Sequence, residues 1–291
     1  MRAWKRWQLA VLLVVVPVAA CSPTGSTPPA VDVSGEPGQA PVVTYVTPLE
    51  IGSTYRETIW EGTGPELVDG GPVLFDFWLE DATDASVVSQ TYDSRPETRQ
   101  LTREALGEDL YLSLRGQRVG ARVLQVSPAS SSGSANFPSV TVLDILPLRA
   151  SGEPIDPRAD LPAVTLGGDG APSIVSTGTD PPSYLIAQPL IRGSGPQVGT
   201  LDTVTFQYSV FTWSGEPIDS SWSRAKPESQ SMLDLPKALA DGLLEQTVGS
   251  QIELVVPPSE PMQITKSLEY KDQTIVLVID ILATRTPTSE G

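Results

Sequence analysis

Short runs of alternating apolar and polar residues recur along the chain and predict a fold rich in sheet. The runs at 73–79 (VLFDFWL) and 204–211 (VTFQYSVF) repeat with period two, the spacing of a half-buried strand. The period changes at residues 234–246, where Leu235, Ala238, Leu239, Gly242 and Leu243 share one helical face. Leu106, Leu110 and Leu114 do the same within residues 103–114. Each half of the chain thus reads strand, strand, short helix, strand, strand, an α+β pattern in which a sheet wraps one short helix.

The halves also resemble each other in sequence. Pro41-Val42-Val43-Thr44-Tyr45 is similar to Pro162-Ala163-Val164-Thr165-Leu166, and Gly62-Thr63-Gly64-Pro65 to Gly193-Ser194-Gly195-Pro196. Phe77 corresponds to Tyr208, GQRVG at 116–120 to EQTVG at 245–249, and VLDIL at 142–146 to VIDIL at 278–282. The blocks keep one order, which predicts two homologous domains at residues 41–150 and 161–286. Residues 151–160 read as a linker and 287–291 as a tail.

The amino terminus carries a different signal. Basic, aromatic MRAWKRW precedes an apolar run at residues 9–20, too short for a comfortable membrane span. It ends in Val18-Ala19-Ala20-Cys21, and Cys21 is the one cysteine of the chain. An aliphatic residue, two small residues and a cysteine form the bacterial lipobox. Residues 1–20 are therefore expected to be a lipoprotein signal peptide, and Cys21 the acylated residue. Acyl chains, palmitate among them, would hold the protein on the extracytoplasmic face of the cell membrane. Residues 21–40, rich in Ser, Thr, Gly and Pro, read as a disordered tether.

Composition narrows the chemistry. The formal net charge is -16, with 35 acidic and 19 basic residues, so nucleic acid is not an expected partner. With no histidine and one cysteine, the chain has no Ser-His-Asp or Cys-His catalysis, no histidine metal site and no internal disulfide. No calcium-loop motif or paired carboxylates stand out, and neither a metal nor a cofactor is expected. Trp78, Trp213 and Trp222 leave two readings open, an exposed peptide-binding patch or edge-strand packing.

The second half resembles FK506-binding-protein-type (FKBP-type) peptidyl-prolyl cis-trans isomerases. The resemblance lies in the strand with Asp202, Val204 and Tyr208, the turn Ile218-Asp219-Ser220-Ser221 with Trp222 and Arg224 following, the helix exit at Gly242, Leu243, Val248 and Gly249, and the last strand VIDIL. The first half is more divergent, keeping Phe77, Tyr92-Asp93-Ser94, GQRVGARVL and VLDIL. The arrangement is similar to tandem FKBP-like lipoproteins of actinobacteria. The resemblance implies two antiparallel sheets, each around one short helix. It implies rotation about the X-Pro amide, which needs neither nucleophile nor metal but an apolar cup and a donor near the carbonyl. Proline-containing polypeptides would be the clients.

Tyr208 and Asp219 are the implied catalytic residues, with Ile218, Leu239, Met262 and Ile279 as further ligand contacts. Phe77, Tyr92 and Asp93 are the counterparts in the first half. The ring that floors the family's cup falls on Leu239, its paired phenylalanines on Glu228 and Gln230, and a loop tyrosine near Met262. The floor position of the first half is Leu110. Two readings stand for Tyr208, cup lining or barrel core, and two for Asp219, ligand contact or turn cap. The expected function is a weak isomerase assisting the folding of exported proteins. The alternative is a non-catalytic binding module, a holdase or envelope scaffold.

Overall fold

The computed structural model describes residues 29–130, 136–260, 270 and 272–287. Cys21 and Met262 lie outside them. The described chain is mostly sheet with few, short helices. Its first half contains β1 (Asp32–Ser34), β2 (Val42–Thr44), β3 (Tyr55–Trp60), β4 (Pro72–Asp81), β5 (Ser86–Gln90), β6 (Glu97–Gln100), α1 (Arg103–Leu106), α2 (Glu108–Leu114), β7 (Arg122–Ser127) and β8 (Ser139–Leu146). The second contains β9 (Glu153–Pro154), β10 (Ala163–Leu166), β11 (Pro172–Val175), β12 (Ile186–Arg192), β13 (Thr203–Thr212), β14 (Pro217–Ser220), β15 (Glu228–Ser231), α3 (Lys237–Leu243), β16 (Gln251–Val256) and β17 (Ile275–Arg285).

The two main sheets share one plan. The first runs β3-β7-β8-β4-β5 with β6 on β4; the second runs β12-β16-β17-β13-β14 with β15 on β13. Strand pairs are antiparallel. The inner face of the first sheet packs Val73, Phe75, Val123 and Leu143 against Leu106 and Leu114 of α1 and α2. In the second, Phe206, Ile252, Leu254 and Ile279 pack against Leu239 and Leu243 of α3.

The central strands are not half-buried as their alternation suggests. Both faces are covered: residues 73–76 of β4 and 204–207 of β13 are buried in succession, and β7 and β16 are buried at every position. Two-stranded ladders do the covering, β1 with β2 over Leu124, Val126 and Val142, and β10 with β11 beside Phe211, Val255 and Val276. Part of the expected tether is thus an ordered strand, because Val31 and Val33 find an apolar surface to bury. The expected linker likewise supplies β9, which extends the second sheet beside β12.

The first half does not form the single helix expected of it. Gly107, at φ 77°, breaks the predicted 103–114 helix into α1 and α2, with Thr102 capping α1 through its hydroxyl. The repeated glycine motif has a packing cause. A Cβ on Gly62 would lie 2.5 Å from the carbonyl oxygens of Arg118 and Val119, and one on Gly193 2.1 Å from that of Val248. These loops cross backbone against backbone, so only glycine fits.

The paired VLDIL and VIDIL aspartates tie down the incoming chain. Asp144 holds Arg122 at 2.6 Å through both oxygens, and Arg122 donates to the carbonyls of Ser34 and Gln39. Asp280 accepts directly from the Ala150 backbone N–H at 2.7 Å and from Gln251 at 2.7 Å. Across the halves, Arg285 at the end of β17 forms an ion pair with buried Asp76 of β4.

Candidate functional site

The site of the second half begins with the hairpin of β13 and β14. Tyr208 stands opposite Ile279 of β17, and its backbone N–H donates to Ser221 Oγ at 2.8 Å. The Ser221 hydroxyl in turn donates to buried Gln207 Oε1 at 2.5 Å, which fixes the end of the hairpin. The Tyr208 hydroxyl donates to Asp219 Oδ2 at 2.7 Å. Arg224, on the 3-10 turn after β14, completes a triangle. It donates to Asp219 Oδ1 at 2.6 Å and to the Tyr208 hydroxyl at 2.8 Å.

These contacts set the protonation states. Burial raises the Tyr208 phenol, and donation to Asp219 raises it further. Burial also opposes the charge on Asp219, but hydrogen bonds from Tyr208 and Arg224 outweigh it and hold its carboxyl below the usual range. The bond to Asp219 keeps Arg224 firmly cationic. The hydroxyl is therefore neutral and the carboxylate ionised through the physiological range.

Beside this triangle opens a cavity of about 370 Å³. Phe206, Leu239, Leu277 and Ile279 give it an apolar floor, Tyr208 an edge, and Glu228, Gln230 and Asp234 polar walls. Of the expected residues, Tyr208, Leu239 and Ile279 meet in this space. Asp219 reaches it through Tyr208. Ile218 is half-buried and packs against the same inner core without lining the cavity. Arg224 joins the site beyond the expected residues; its signal in the sequence is a basic residue five positions after Asp219.

The first half has a larger cavity, about 700 Å³, in the matching place. Phe75, Phe77, Leu79, Leu106, Leu110 and Leu143 line its apolar side. Tyr92 and Asp93 do not line it. Tyr92 is buried, and its phenol is raised by that burial and by the nearby Asp144 carboxylate. Asp93 is exposed and accepts from Gln90 Nε2 at 2.6 Å. Thr91 Oγ accepts the Phe77 N–H at 2.9 Å, as Ser221 does for Tyr208, so Thr91 marks the end of the hairpin and Tyr92 and Asp93 lie beyond it. Strand register then sets Ser89 opposite Leu79 where Asp219 stands opposite Val210.

The tryptophans do not gather. Trp78 packs on the outer face of the first sheet and Trp213 on that of the second, while Trp222 lies against Gly170.

No curated protein matches the chain. Among solved structures it is similar to FkpA from Escherichia coli, at 21% identity and TM-score 0.33, covering 43% of this chain and 53% of that one. It thus spans about half of that protein's length. The three FKBP domains of wheat FKBP73 align at 14% identity and TM-score 0.31, over 80% of this chain and 95% of that one. A peptidyl-prolyl cis-trans isomerase from Pseudomonas syringae pv. tomato aligns at 18% identity and TM-score 0.31, over 35% and 75%. The family model that matches covers residues 195–275, which hold the whole Tyr208–Asp219–Arg224 triangle. The model that this segment matches is that of the FKBP-type peptidyl-prolyl cis-trans isomerases.

Proposed function

We propose that the second half is a peptidyl-prolyl cis-trans isomerase of modest turnover, acting on exported polypeptides from a lipid anchor at Cys21. The observation that carries this reading is the Tyr208–Asp219–Arg224 triangle at the edge of an open, apolar-floored cavity. The X-Pro amide has a rotation barrier of about 20 kcal/mol, and its uncatalysed exchange takes tens to hundreds of seconds. An apolar cavity favours the twisted amide, which has lost its resonance dipole, over the planar one. The Tyr208 O–H is a donor at the cavity's edge. Turning it from Asp219 onto a bound carbonyl leaves Asp219 still paired with Arg224, so no ion pair is lost. Turnover is modest because Phe206 is the one ring in the floor, beside Leu239, Leu277 and Ile279.

A protease-coupled isomerisation assay on the detergent-solubilised chain tests this. Acceleration that falls about ten-fold or more in Asp219→Ala is expected, about 1.4 kcal/mol of barrier. A folded chain that accelerates no proline peptide would refute the catalytic reading.

For the first half, a second reading is favoured by its own cavity. Phe77 stands where the second half has Tyr208, and Ser89 where it has Asp219, so the space can hold an apolar segment without that hydroxyl and carboxylate. We read the pair as tandem FKBP-like domains, one isomerising and one binding clients as a holdase or scaffold.

A further inference from the structure

The polar wall of the second cavity carries charge that the matching wall of the first does not. Glu97 and Arg99 on β6 stand opposite Phe75 and Val73, and Glu228 and Gln230 on β15 stand opposite Phe206 and Val204. In the first half the carboxylate of Glu97 is neutralised by Arg99 at 2.8 Å. In the second half glutamine takes the arginine's place. Among the described residues, the one cation that reaches Glu228 is Arg224 at 3.5 Å, and that guanidinium is already held at 2.6 Å by Asp219. Asp234, on the same cavity, forms no ion pair among the described residues. One guanidinium therefore serves both Asp219 and Glu228, and Asp234 adds a further carboxylate to the cavity wall.

Glu228 is open enough to meet a ligand, its side chain being 45% exposed. Directly behind it lies the apolar floor of Phe206, Leu239, Leu277 and Ile279. A ligand that fits both features puts an apolar ring on the floor and a positive charge at the rim. Neighbouring Cα atoms are about 3.8 Å apart, so a lysine or arginine next to a seated proline has the reach. We propose that this cavity selects prolyl segments with a basic residue adjacent to the proline, and that Glu228 is the residue that selects. The inference rests on the reading of the cavity as a proline site. The preference is modest, because a solvated ion pair is screened.

The test uses the full chain in detergent with peptides differing only in the residue before proline: lysine, alanine or glutamate. Binding by fluorescence anisotropy and isomerisation rate are measured on the same samples. The lysine peptide is expected to lead the glutamate peptide by about five-fold at low salt, and the lead to shrink in 0.5 M salt, where the Debye length is about 4 Å. Glu228→Gln should cut the lead below about two-fold. Gln230→Arg, which builds the first half's neutralising pair into the second, should do the same by adding a cation. Equal handling of the three peptides by the unaltered chain overturns the charge selection alone. A lysine lead that survives both substitutions overturns the role of Glu228 and assigns the effect to the acidity of the whole chain. Neither binding nor acceleration of any peptide overturns the proline-site reading beneath it.

Discussion

The two halves share a strand order and differ at a few positions, and those positions separate what builds the frame from what sets the chemistry. The frame recurs in detail: Thr91 and Ser221 anchor the same hairpin, and Gly62 and Gly193 allow the same backbone crossing. Phe77 against Tyr208, and Ser89 against Asp219, then decide whether a hydroxyl and its carboxylate reach the cavity. The helix-to-sheet contact is exchanged as a matched set. Ser113 bonds Gln125 at 2.6 Å in the first half, while Gly242 makes room for Leu254 in the second. A frame held by backbone crossings tolerates such exchanges because its shape does not depend on them.

The largest effect expected from breaking the comparison is at the start of β7 and β16. Arg122 and Gln251 hold the same register position, opposite Asp144 and Asp280. Arg122→Ala strands a buried carboxylate and should cost about 3–5 kcal/mol in chemical denaturation. Gln251→Ala removes one neutral donor, leaves the Ala150 N–H in place, and should cost about 1–2 kcal/mol. Equal costs would show that the charge on Arg122 is not what the first half depends on.

The next effect is a gain. Glu253 sits where the first half has Leu124, and is buried with neither oxygen bonded among the described residues. Burial, with a smaller contribution from Asp160, pushes its carboxyl up to about 7. In the window from the ordinary value near 4.5 up to about 7, the folded chain keeps a proton that the unfolded chain has released. Stability therefore falls as pH rises through that window, and the full penalty is present above it. Glu253→Leu should stabilise the chain by on the order of 2 kcal/mol at pH 8 and by less at pH 4. A gain independent of pH would locate the effect in packing instead.

The smallest effect is at the helix exit. Glu245 has φ 62° where the first half uses Gly116 at φ 76°. Glu245→Gly should stabilise by about 0.5–1 kcal/mol in thermal unfolding, and Gly116→Glu should destabilise by a similar amount.

Much of this frame is legible in the sequence, because the repeat is carried by residues with local causes. GTGP and GSGP mark the backbone crossing, and the paired aspartates of VLDIL and VIDIL mark the clamps. What escaped depends on contacts far along the chain. The three-residue strand Asp32–Ser34 has no periodicity to read and exists because an apolar sheet face lies beneath it. Glu253 looks like the polar member of an alternating strand, but it shares a strand face with Val255, which packs in the cluster that holds Leu161 and Ile174. In the site, Tyr208, Leu239 and Ile279 were placed by the family pattern. The Tyr92-Asp93-Ser94 string mimics the turn motif, but Asp93 lies four residues past Ser89, the position that strand register sets against Asp219.

The central claim is that the chemistry of the chain resides in the second cavity and not in the first. The direct measurement is the isomerisation rate of the full chain carrying either Tyr208→Phe or Phe77→Ala, each shown to be folded. The account predicts that Tyr208→Phe lowers kcat/KM by about ten-fold while Phe77→Ala leaves it within about two-fold of the unaltered chain. A loss with Phe77→Ala alone would place the chemistry in the first half and contradict the account.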